Sequence, residues 1–83
     1  MLESAIQSKL IKQYEKEGYY VIKLIQTNKN GIPDLILLKD GKAFFIEVKT
    51  EKGKVSELQK FRHEELKKYG FTTQILTNAD RKI

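Results

Sequence analysis

Apolar positions along the chain fall into two periods. Leu2, Ile6, Leu10 and Tyr14 recur four apart, the spacing of one helix face, and Gly18 follows as a natural C-terminal stop. A first helix over about 2–17 is predicted, with Glu3 and Gln7 flanking its apolar stripe. Tyr19 to Ile25 is β-branched and apolar enough for a strand, with Lys23 facing solvent, and Gln26 to Gly31 is a polar loop. Leu35 to Leu38 and Ala43 to Val48 read as two buried strands joined by a Lys39-Asp40-Gly41-Lys42 turn. After a charged loop centred on Gly53, Ser56-Glu57-Leu58-Gln59 has the form of a capping box opening a second helix. Leu58, Phe61, Leu66 and Tyr69 supply its expected apolar face, and Gly70 ends it. Phe71 to Leu76 is a last strand, and Thr77 to Ile83 a short polar tail. The order α-β-β-β-α-β predicts a single α/β domain over residues 1–83, a small mixed sheet flanked by helices.

The turn fixes the register of the central hairpin. If Asp40-Gly41 forms a two-residue type I′ turn, Lys39 pairs with Lys42, Leu38 with Ala43, and the ladder continues until Asp34 lies opposite Glu47. Both carboxylates then share one face, with Cβ atoms ~4.5–5.5 Å apart, a destabilising arrangement unless positive charge lies between them. Period-2 alternation puts Lys49 on that face too, while Phe44, Ile46 and Val48 point into the core. On the acidic face Phe45 and Ile36 are apolar, which predicts that the acids sit at the edge of an otherwise buried surface. Two acids and an ammonium converge beside a Gly31-Ile32-Pro33 loop, and a divalent cation is the natural filler.

Pro33-Asp34, twelve residues, then Glu47-Val48-Lys49 resembles the PD-(D/E)xK nuclease signature. Together with Glu3, Gly31-Ile32-Pro33-Asp34-Leu35, Glu47-Val48-Lys49-Thr50 and Gln59, the pattern is similar to the VRR-NUC branch of that superfamily, in its stand-alone minimal form. The resemblance implies a restriction-endonuclease-like core. It also implies a metal-dependent, structure-selective DNA endonuclease using Mg²⁺ or Mn²⁺. Asp34, Glu47, Lys49, Gln59 and Glu3 would be its catalytic residues, and Asp34, Glu47, the Val48 carbonyl and Glu3 its metal ligands. Branched DNA such as a flap or four-way junction would be its substrate and a Holliday-junction-resolvase-like homodimer its assembly.

Read without the resemblance, several of these residues keep plainer roles. Glu3 is favourable in a first helical turn, Asp34 is an ordinary turn acid, and Glu47 and Lys49 could line a half-exposed strand. Gln59 can cap the Ser56 N–H or reach the acidic patch, and both remain open. His63, the one histidine, reads as a surface residue of the second helix.

Charge agrees with a polyanionic partner: the net charge is +5 and the pI about 9.5. Lys9, Lys12 and Lys16 share a face of the first helix that could follow a phosphate backbone or be merely solvated. Cysteine is absent, which excludes disulfides and thiolate metal sites. No apolar run approaches a membrane span and no signal peptide is evident, so a cytoplasmic protein of a bacterium, or of a phage in its host, is expected. A second reading fits the same charge: a basic nucleic-acid-binding module that does not cut.

Overall fold

The computed structural model describes residues 2–77. Among them are α1 (Glu3–Lys16), β1 (Tyr20–Lys23), β2 (Leu35–Lys39), β3 (Lys42–Lys49), α2 (Glu57–Lys68) and β4 (Thr72–Thr77). The strands form one sheet in the order β1-β2-β3-β4. The first two pairings are antiparallel and β3 with β4 is parallel. A parallel neighbour needs a crossover connection, and α2 supplies it. The α/β class and the order α-β-β-β-α-β are as the sequence predicts. The tail beyond Thr77 lies outside the described residues.

The helical stripe of α1 does what its spacing implies from Ile6 onward, whereas Leu2, at the N-cap before the first turn, is exposed. Ile6, Leu10 and Tyr14 are fully buried against alternate residues of the strands, Leu35 and Leu37 on β2, Ile46 and Val48 on β3, and Leu76 on β4. Each such side chain is worth roughly 1.5–3 kcal/mol of transfer free energy. The core therefore lies on one side of the sheet. Gly18 follows α1 at φ +94° and Gly70 follows α2 at φ +90°, the left-handed geometry that favours glycine at these stops.

Three expectations need correction. The first strand is shorter than Tyr19 to Ile25. Leu24 still donates its N–H to the Asp34 carbonyl at 2.8 Å, but Ile25 is exposed, because β2 begins only at Leu35 and offers no partner farther on. The expected apolar face of α2 does not form the inner one: Leu58, Phe61 and the C-cap Tyr69 are exposed, Leu66 is half-buried, and the helix buries His63 instead. The acidic face is also inverted relative to expectation. Glu47 is buried while Phe45 and Ile36 are only partly so, because α2 covers the acid rather than its apolar neighbours.

Candidate active site

The hairpin carries the site, and its turn sets the register. Asp40 and Gly41 have φ of +52° and +75°, as a type I′ turn requires, and the ladder runs from Lys39↔Lys42 to Leu35↔Ile46. One step beyond, Asp34 meets β3 next to Glu47. Its Oδ2 accepts the Val48 backbone N–H at 2.8 Å, which holds the carboxylate against the strand. In an extended strand the N–H and C=O of one residue leave by the same edge. The Val48 carbonyl therefore also leaves towards Asp34, past the first paired residue of β2.

Glu47 is 1% exposed and is approached from several sides. Its Oε2 accepts a hydrogen bond from Gln59 Nε2 at 3.1 Å and lies 3.9 Å from Lys49 Nζ. Its pKa is pushed up to about 8, first by burial, then by the neighbouring charge of Asp34 and a hydrogen bond shared with that carboxyl. Lys49 pulls the other way, and Glu3 adds to the rise. Burial and the acids beside it therefore favour the protonated form of Glu47 in the metal-free protein.

Gln59 fills both roles open to it. Its Oε1 accepts the Ser56 N–H at 2.9 Å and its own N–H bonds the Ser56 hydroxyl at 3.1 Å, while its Nε2 reaches Glu47. The cap thus aims the amide. Glu3 stands farther out. A Cβ placed on Gly53 would lie 3.3 Å from Glu3 Oε2 and 3.4 Å from Lys49 Cδ, so the 50–55 loop rests between these two side chains.

The VRR-NUC domain profile matches residues 2–80. The chain belongs to the VRR-NUC family. A solved structure described as a VRR_NUC domain is 30% identical and superposes with a TM-score of 0.82, covering 93% of this chain and 85% of its own. Another, a VRR_NUC domain protein, is 21% identical with a TM-score of 0.83, covering 96% and 80%, and speaks for the fold alone. No curated protein matches the sequence. Family membership makes this a nuclease-family domain.

In this VRR-NUC chain the donor set fits a hard divalent cation. Asp34 and Glu47 bring carboxylate oxygens of the kind such an ion prefers, Glu47 Oε1 is buried with no hydrogen-bond partner, and the Val48 carbonyl leaves by the same edge. Among the described residues no group of three or more His, Cys, Asp or Glu side chains is gathered for a metal. Glu3 is close enough for its charge to add to the raised pKa of Glu47. Two carboxylates are what Mg²⁺ commonly takes from a protein, water and phosphate supplying the rest.

His63 corrects another expectation. It is 5% exposed, with Nδ1 bonded to the Thr73 hydroxyl and Nε2 4.0 Å from Glu47 Oε1. Burial, with Lys67 nearby, holds its pKa below the usual value, so the ring is neutral at pH 7. Gln59 and His63 are four residues apart, hence on one helix face. Placing the first on Glu47 places the second there also, a signal already present in the sequence.

Proposed function

We propose that residues 1–83 form a metal-dependent DNA endonuclease that hydrolyses phosphodiester bonds with Mg²⁺ or Mn²⁺ held by Asp34, Glu47 and the Val48 carbonyl. The observation that carries this reading is the pairing of two carboxyl groups, one of them buried, beside an ammonium and an aimed amide. When bound, such an ion supplies charge neutralisation at the phosphate and lowers the pKa of a coordinated water. The chain's own groups do the positioning. Asp34 is pinned by the Val48 N–H, and Gln59 holds Glu47 through Oε2. Lys49, its side chain 13% exposed, is placed to orient the attacking water or grip the scissile phosphate. Glu3, across Gly53, would act through a water or a second ion. Products carrying a 5′-phosphate and a 3′-hydroxyl are expected.

The substrate would be DNA gripped through its backbone, with steep salt dependence, since no base-reading element is evident. The small size of the domain and its family favour a homodimer, and two sites would suit a flap or four-way junction. Gel filtration giving a monomer at micromolar concentration would argue against that assembly. No helix among the described residues is long and apolar enough to cross a membrane. A cytoplasmic setting, in a bacterium or a phage-infected cell, suits a DNA substrate.

The test is cleavage of matched linear, flapped and four-way DNAs with Mg²⁺ or Mn²⁺ against chelator. Nicking should require the metal and vanish in folded Asp34→Ala and Lys49→Ala. Metal-independent retardation of DNA without nicking would instead support the non-catalytic binding module.

A further inference from the structure

Glu47 is gripped asymmetrically. One oxygen, Oε2, has Gln59 and Lys49 beside it, whereas Oε1 is buried with no hydrogen-bond partner. The group facing Oε1 is His63 Nε2, itself buried and unpartnered, at 4.0 Å. That gap exceeds a hydrogen bond by about 1 Å, so the two atoms face each other without bonding in the metal-free protein. The far side of the ring is fixed, because Nδ1 is bonded to the Thr73 hydroxyl on β4. A neutral imidazole carries one N–H. In the tautomer where the Thr73 hydroxyl donates to Nδ1, the one ring proton is on Nε2, the nitrogen nearest Glu47 Oε1.

We infer that His63, held by Thr73, is a positioning residue that orients Glu47 Oε1 for the divalent cation, as Gln59 orients Oε2. The inference rests on the metal-dependent reading above and adds residues absent from the PD-(D/E)xK pattern. Carboxylate ligands of metals are themselves hydrogen-bonded by outer groups, and loss of such a group commonly weakens metal affinity or activity about 10- to 100-fold. Thr73 and His63 belong to β4 and α2, so the crossover that completes the sheet also fastens the acid on β3.

The experiment measures Mn²⁺ binding by calorimetry, with cleavage in parallel, for wild type, His63→Leu, His63→Gln and Thr73→Val. A glutamine amide can place an N–H where Nε2 lies; leucine fills the space but donates nothing. Mn²⁺ affinity should fall about tenfold or more in His63→Leu and return to within a few-fold of wild type in His63→Gln. Wild-type affinity in His63→Leu overturns the inference, and so does a glutamine variant as weak as the leucine one, since that would mean packing alone. If His63→Leu does not fold, Thr73→Val decides: weakened Mn²⁺ binding supports the relay and unchanged binding overturns it. Absence of Mn²⁺ binding and cleavage in the wild type would instead sink the underlying nuclease reading.

Discussion

Asp34 Oδ2 accepts the Val48 backbone N–H at 2.8 Å, so the first acid of the site is fixed to the strand that carries the second. Asp34→Asn keeps an oxygen for this bond and removes one of two crowded carboxylates. It should leave the metal-free fold intact, with a melting temperature equal to or above wild type. Asp34→Ala strands the Val48 N–H and should cost about 1–3 kcal/mol. Thermal melts of both variants in chelator check this; a large loss of stability in Asp34→Asn would contradict it.

Glu47 makes the metal-free protein sensitive to alkali. Its folded-state pKa, about 8, lies above the ordinary 4.5, so between these values the folded state binds more protons than the unfolded one. The resulting stabilisation is complete below about 4.5 and is lost as pH rises through about 8. In chelator, the difference in melting temperature between wild type and Glu47→Gln should shift in favour of the variant from pH 5.5 to 8.5. A difference that does not change with pH would refute this assignment.

Gln59 ties local helix capping to the site through one side chain. Gln59→Glu retains an oxygen for the Ser56 N–H but turns a donor to Glu47 into a second acid. Stability from the cap should largely survive at low pH, while cleavage should fall at least about tenfold, by analogy with outer groups at metal sites. Gln59→Ala should cost about 1 kcal/mol through the cap alone. Circular-dichroism melts beside cleavage rates separate the two effects.

Gly31, three residues before Asp34, lies against Leu58 of α2. It has φ of +81°, and a Cβ there would lie 2.7 Å from Leu58 Cγ, with the Leu58 backbone carbon only 3.3 Å away. Gly31→Ala should destabilise by about 1–3 kcal/mol from strained backbone and contact. Because Arg62 Nε also bonds the Asn30 carbonyl at 2.8 Å, the same substitution should loosen the loop on α2. Urea unfolding measures the first effect, and faster amide exchange in residues 28–34 the second.

The hairpin was legible in the sequence because Asp40-Gly41 allows few turn geometries, and the turn then dictates which residues face each other. Leu35, Leu37, Ile46 and Val48 followed by alternation, and the α1 stripe by period. The covering of Glu47 was not legible from apolar periodicity, only from the four-residue spacing of Gln59 and His63. Leu58, Phe61 and Tyr69 suggested an inward apolar face on α2, yet the side chains that meet Glu47 are polar: Gln59, hydrogen-bonded to Oε2, and His63, 4.0 Å from Oε1. Apolar periodicity misleads where a helix is seated on a buried acid. Glu3 reached the site's rim through tertiary packing against the Gly53 loop, which no local signal encodes.

The central claim is that Asp34 and Glu47 are held together to receive one divalent ion in place of the proton that burial favours on Glu47. Calorimetric titration of Mn²⁺ at pH 7, in two buffers of different ionisation heat, tests it directly. Saturable binding to wild type with proton release, abolished in Asp34→Asn, is the predicted result. No binding by wild type, or equal binding without proton release in both proteins, would contradict the account.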